Sequence, residues 1–219
     1  MKSQQSGFTL VEIAIVLVII GLLLGGILKG QELINSAKVK NFANDFRAVP
    51  TYIYGYQDKY RALPGDDVAV VAHLGSAATA ATVGTKGNGL IEGNWNSAAV
   101  ADESFVFWQH VRLAQIAPGV TDTGDAANFQ PRNAAGGRLG VSSATPGLLQ
   151  ISGMLGTYQV CSAAIIGKLA KQIDTQLDDG NPATGNVRAV PDASPLATAA
   201  MAIDPDSQDA NPYTVCMTF

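Results

Sequence analysis

An α+β protein, with one long N-terminal helix packed on a small antiparallel-sheet domain, is predicted by three features of this 219-residue sequence. A 21-residue apolar run from Phe8 to Leu28 opens the chain. A helical stripe of large apolar side chains then runs from Phe42 to Tyr60. An alternating segment, residues 213–219, closes it.

The apolar run comes first. Glu12 is its one charged residue and Thr9 its one other polar residue. As a helix it would be about 31 Å long, enough to cross the hydrocarbon core of a bilayer. A secretory signal peptide would have a shorter apolar stretch and a small-x-small cleavage site. Here the run is long, Lys29-Gly30-Gln31-Glu32 follows it, and Ala37 offers no convincing site. Gly21 and Gly25 form one small-xxx-small pair, and Gly26 and Gly30 another. Such pairs let helices approach closely, and they weaken the helix by roughly 1 kcal/mol per glycine in water.

The helix is expected to continue beyond the apolar run. Phe42, Phe46, Val49, Ile53, Tyr56 and Tyr60 recur at spacings of four and three, one face of a helix. Pro50 falls inside this stripe and should kink rather than stop it, because the phase holds across it. The stop lies at Arg61-Ala62-Leu63-Pro64-Gly65-Asp66-Asp67, where Pro64 pushes Leu63 out of the helical region. One helix therefore spans about 8–60, with 8–28 in a membrane or filament core. Tyr52, Tyr54, Tyr56 and Tyr60 read mainly as packing against the domain.

Residues 61–219 read as one small domain with long loops. The stretch 84–97 is rich in Gly and Asn and reads as a loop or hairpin. Asp102 is expected to cap a helix running to about Ile116. Met154 to Cys161 reads as a strand, and Ser162 as the cap of a second helix carrying Ile166, Leu169, Ile173 and Leu177, closed by Gly180. In the terminal segment Tyr213, Val215, Met217 and Phe219 share one face, which predicts a strand with one buried side.

Charge and composition exclude several functions. Charged residues make up 15% of the chain and hydrophobic ones 47%, with a formal net charge of −4. The balance is uneven: residues 1–49 carry five basic and three acidic side chains, and the rest nine and fifteen. A general nucleic-acid binder should show a basic face, so nucleic acid is not an expected partner. Two cysteines and two histidines, far apart, do not make a zinc site. No phosphate loop, nucleotide fingerprint or nucleophile constellation is present, and His73 and His110 lack triad-like context, so the chain is not expected to be an enzyme.

Glu12 is the most informative residue. A carboxylate near the start of an apolar span is costly in lipid and needs a partner or a task. No basic residue lies within two turns of it, so its partner is expected from elsewhere: headgroup water, another chain or a new N-terminus nearby. The six residues Gly7-Phe8-Thr9-Leu10-Val11-Glu12, with the short polar leader and the apolar run, resemble the prepilin-type cleavage and methylation motif of type IV pilins and type II secretion pseudopilins. The resemblance covers roughly the first 35 residues closely. It implies cleavage between Gly7 and Phe8 by a prepilin peptidase, leaving a 1–7 leader, and N-methylation of Phe8. It implies that Glu12 pairs with the N-terminal amine of a neighbouring subunit and sets the register of assembly. It further implies a pilin-like fold, other pilin or pseudopilin subunits and an inner-membrane assembly platform as partners, and a single-pass protein of the bacterial inner membrane whose 61–219 domain is periplasmic. Electrostatics agrees, since pairing the two charges in low dielectric offsets the desolvation of both. The helix exit from Tyr60 to Asp66 also resembles that of some pilin-like proteins.

Loop charge points the other way. Lys29, Lys38, Lys40 and Arg47 outnumber Lys2 and the initial amine, which would put the far flank in the cytoplasm. The family orientation is preferred because Cys161 and Cys216 suit an oxidising compartment, where a pair reads as a disulfide. That bridge is expected to staple the start of the second helix to the terminal strand. The function expected is a structural subunit, major or minor, of a type IV pilus or related filament. The alternatives are a pseudopilin of a type II secretion system and a membrane-anchored binding domain that never polymerises. Glu12 and Gly7 argue against the last, because a plain anchor needs neither. Two acidic stretches, Asp174/Asp178/Asp179 and Asp204/Asp206/Asp209, suit calcium as oxygen donors but match no loop motif and read first as solvated turns. No cofactor is otherwise expected.

Overall fold

The computed structural model describes the backbone of residues 9–124, 126–203 and 210–219, and their side chains except at 126 and 127. The described elements are α1 (Leu10–Tyr60), α2 (Val70–Leu74), α3 (Glu103–Leu113), α4 (Ala126–Phe129), β1 (Leu139–Ser143), β2 (Ile151–Ser152), β3 (Tyr158–Ile166), α5 (Gly167–Leu177), β4 (Val187–Pro191), β5 (Thr198–Ala199) and β6 (Pro212–Thr218). The chain divides into two units, residues 1–38 and 39–219, with α1 contributing to both.

In the first unit α1 presents its apolar side chains on all sides: Leu17 is 64% and Leu22 73% exposed. A helix apolar all round is stable only in an apolar surrounding. Among the described residues it is the one helix long and apolar enough to cross a membrane. An exposed Lys29–Glu32 pair at 2.7 Å follows the apolar stretch.

In the second unit the stripe of α1 lies where its period puts it. Phe42, Phe46, Val49, Ile53 and Tyr56 are fully buried, and the helix runs through Pro50 to end at Tyr60. They pack with Phe105, Phe107 and Val111 of α3 and with Val141, Tyr158, Val160 and Val215 of the sheet. Each such side chain contributes about 1.5–3 kcal/mol by leaving water. The sheet is antiparallel throughout, in the order β1-β3-β6-β4. A parallel pair, β2 and β5, stands apart from it.

Three expectations need correction. The strand placed at 154–161 runs instead over Tyr158–Ile166, and Ser162 sits inside it, opposite Val215, rather than capping a helix. The cause is a bulge: pairing shifts between Ser162 and Ile165, and Ala164 has φ 58°. The extra residue flips the alternation, so Val160 and Ile165 share one core although one number is even and the other odd. Second, β6 has two buried faces. Tyr213 and Val215 join the α1 core, while Cys216 joins Cys161, Trp95, Ile151, Met154 and Val190 in a second cluster. Third, Asp102 stands at the N-cap of α3, but its carboxylate accepts from the Ser97 hydroxyl at 2.5 Å and caps no helix amide. α3 ends at Leu113, and it is buried on every side from Glu103 to Arg112.

The Leu63-Pro64-Gly65-Asp66-Asp67 exit is an anchor. The Tyr56 hydroxyl donates to Asp67 Oδ2 at 2.7 Å, His73 Nδ1 lies 2.7 Å from the same oxygen, and the Ala69 amide donates to Oδ1 at 2.9 Å. Burial alone would raise the Asp67 carboxyl, but these partners outweigh it and hold it below the usual range. Gly65 has φ 96° and sits against the Glu103 carbonyl, where a Cβ would collide. Asp66 accepts the amides of Gly87 and Gly89, which pins the 84–97 loop.

Glu103 is fully buried and its Oε1 has no hydrogen-bond partner. Burial, reinforced by Asp66 and Glu92 and opposed by the Glu92 amide, pushes its carboxyl up to about 7 from an ordinary 4.5. Between these values the folded chain keeps a proton that the unfolded chain has lost, so this group makes stability fall as pH rises. Glu103→Gln should therefore gain on the parent by on the order of 2 kcal/mol between pH 4.5 and pH 8. Denaturation midpoints across that range check it; a difference independent of pH would refute the assignment.

Candidate functional site

The first turn of α1 holds the charge that the apolar stretch surrounds. Thr9 precedes the helix and Glu12 is its third residue. Glu12 Oε2 accepts both the Thr9 amide and the Thr9 hydroxyl at 2.8 Å, and the Glu12 amide donates to Thr9 Oγ1 at 3.3 Å. This is a capping box, in which a Thr and a Glu three apart satisfy each other's backbone. The carboxylate therefore has local donors in Thr9, which the search for a charged partner does not reveal. They are dipoles rather than a cation, so its charge is solvated but not neutralised. The signal was available, because Thr-x-x-Glu ahead of an apolar run is a helix-start pattern. Gly7 and Phe8 lie outside the described residues.

Past that turn the helix surface is apolar. A Cβ added at Gly21, Gly25, Gly26 or Gly30 would meet nothing within 4 Å. These glycines are therefore not needed for packing among the described residues. Glu12 is the one acidic residue of the first turn, where the helix dipole favours it.

Cys161 and Cys216 form a disulfide, as expected, but not at a helix start. They face each other in register across β3 and β6 with Cα atoms 4.1 Å apart. Both are fully buried. The bulge that lengthened β3 moved Cys161 from a strand end to mid-strand.

Asp174, Asp178 and Asp179 offer carboxylate oxygens within 4.8 Å of one another and can hold a metal ion. Burial first, then Asp179 and Asp178, push the Asp174 carboxyl up to about 7. Asp204, Asp206 and Asp209 lie outside the described residues.

The histidines have structural roles. The Gly65 amide donates to His110 Nδ1 at 2.9 Å and Nε2 lies 2.8 Å from the Thr79 carbonyl, so Nε2 carries the proton and the ring is neutral. Burial holds its pKa down. His73 joins the Asp67 anchor and stacks on Tyr60 at 5.2 Å between centroids.

Residues 2–28 match the family described as the prokaryotic N-terminal methylation motif. No curated protein and no solved structure matches the chain.

Proposed function

We propose, from a chain that carries the N-terminal methylation motif and has the build of a pilin- or pseudopilin-type structural subunit, that it assembles through its N-terminal helix into a type IV pilus or a related filament. The observation that carries this reading is the matched motif running directly into an apolar helix with a single carboxylate in its first turn. Cleavage after Gly7 would leave an amine on Phe8, one residue before Thr9. In a staggered bundle that amine supplies the cation that the capping box lacks. A carboxylate held in one orientation by Thr9 is an aimed acceptor, and a mispaired register would leave it in apolar surroundings with dipoles alone.

Single-pass anchoring is supported by the length and apolar surface of the helix. A periplasmic 39–219 unit is supported by the Cys161–Cys216 bridge, since disulfides persist in oxidising compartments. In this reading the chain performs no chemistry of its own. Prepilin peptidase, other subunits and an inner-membrane assembly platform are its partners, and Phe8 is the methylated residue.

Intact mass of the protein from native membranes and from sheared surface filaments tests the proposal. Loss of residues 1–7, a gain of about 14 Da for one methyl group and a loss of about 2 Da for the disulfide are expected. Recovery from sheared filaments supports a pilus subunit, whereas confinement to the envelope supports a secretion pseudopilin. An unprocessed full-length chain would point to a plain membrane anchor. Gly7→Ala should leave precursor in the membrane, because a Cβ obstructs close backbone approach by the peptidase. A blot separating precursor from mature chain reads this, and efficient processing would defeat the cleavage assignment.

A further inference from the structure

Asp174 lies in the last turn of α5 and is 1% exposed; the Gly180 amide and the Asp179 carboxyl are near enough to bias it, yet neither of its carboxylate oxygens makes a hydrogen bond of proper geometry. The fold treats its other buried aspartates differently: Asp67 collects Tyr56, His73 and an amide, and Asp66 collects two amides. Among the described residues Asp174 is the one buried carboxylate with both oxygens left over. A buried carboxylate without donors is costly, and such groups are ordinarily paired or bound to a metal.

Its neighbours add charge of the same sign. Asp178 follows the helix at its C-cap and Asp179 comes next, both exposed, with ligand oxygens of all three within 4.8 Å. The last turn carries no basic residue. Among the described residues none of the three takes part in an ion pair with lysine or arginine. The C-terminal end of a helix is its negative pole, so three aspartates there are set against the dipole unless a cation joins them.

We propose that Asp174, Asp178 and Asp179 bind one calcium ion that ties the end of α5 to the loop leading into β4. The donors are all hard oxygens, which suits calcium over zinc or copper. The loop is already folded back on the carboxylates: Asp178 Oδ2 accepts the Val187 amide at 3.0 Å, and Asp179 accepts the Asn181 amide at 2.8 Å and the Thr184 hydroxyl at 2.7 Å. Two ligands are thus held in place and the third, Asp174, is fixed by burial. Water completes the shell on the exposed side. The inference goes beyond the assembly reading and does not rest on it.

Calorimetric titration of CaCl2 into the full-length, chelator-treated chain in detergent micelles tests it, with the thermal midpoint measured in parallel. One calcium per chain and a raised midpoint are expected, with magnesium binding more weakly. Asp174→Asn and Asp179→Asn should each weaken calcium binding at least about tenfold. Asp179 is exposed, so its variant keeps the fold and decides the matter even where Asp174→Asn does not fold. Absence of binding heat with an unchanged midpoint overturns the proposal and leaves a shared proton as the link between the carboxylates. Binding undiminished in Asp179→Asn overturns it too, because the ion then sits elsewhere.

Discussion

Glu12→Ala is expected to be cleaved and methylated like the parent, yet to enter filaments about a hundredfold less often when the two compete. Removing one partner of a buried ion pair costs about 3 kcal/mol or more, and 1.4 kcal/mol is a factor of ten. Here the stranded group would be the amine on Phe8 of a neighbouring subunit. The substitution also breaks the capping box, worth about 1 kcal/mol of helix start. Thr9→Val separates the two effects. It removes the hydroxyl that donates to Glu12 Oε2 and accepts the Glu12 amide, but keeps the charge. A register role predicts a severe defect for Glu12→Ala and a mild one for Thr9→Val. Mass-spectrometric ratios of variant to parent peptides, in membranes and in sheared filaments, read both. Equal incorporation of Glu12→Ala would count against pairing, and equal defects in the two variants would reduce Glu12 to a helix cap.

The second large effect is in the 39–219 unit. Cys161→Ala/Cys216→Ala should lower its stability by about 4 kcal/mol on the chain-entropy model, since the bridge closes a separation of 55 residues. For a unit of this size that is a fall of about 10 °C in thermal midpoint. Alanine is preferred to serine because Trp95, Ile151, Met154 and Val190 surround the pair, and a hydroxyl there would add an unsatisfied polar group. Both cysteines are fully buried, so reductant should act on the folded protein only as fast as it opens. Denaturant unfolding of parent and variant in detergent measures the difference. Coincident curves would mean that the strand pairing, and not the bridge, holds β3 to β6.

The two predictions differ in how well the sequence foresaw them. The apolar run, the motif at its head and the stripe from Phe42 to Tyr60 are local signals. Each repeats with the helical period, or lies within six consecutive residues, so they are legible without knowing what packs on what. The burial of Phe42, Phe46, Val49, Ile53 and Tyr56 follows that stripe. The capping box is equally local, with Thr9 and Glu12 three residues apart at the head of the apolar run.

Beyond residue 61 the folding information is non-local, and there sequence reading lost its hold. β1 and β4 carried no periodic signal strong enough to be recognised, because both lie in a sheet covered on two faces. A strand covered on both sides loses the alternation that announces it. The bulge in β3 reverses the phase within one strand, which turned its second half into an apparent helix start. The aspartates of the helix exit and of the α5 end look alike in sequence. Only packing separates them: Asp67 meets donors from Tyr56 and His73 brought in by two helices, while Asp174 is buried facing two more carboxylates. The membrane helix and its motif are written in neighbouring residues. The satisfied and unsatisfied charges of the domain depend on which distant side chains the tertiary fold sets beside them, because the cost of a buried charge is fixed by its partners and not by its own identity.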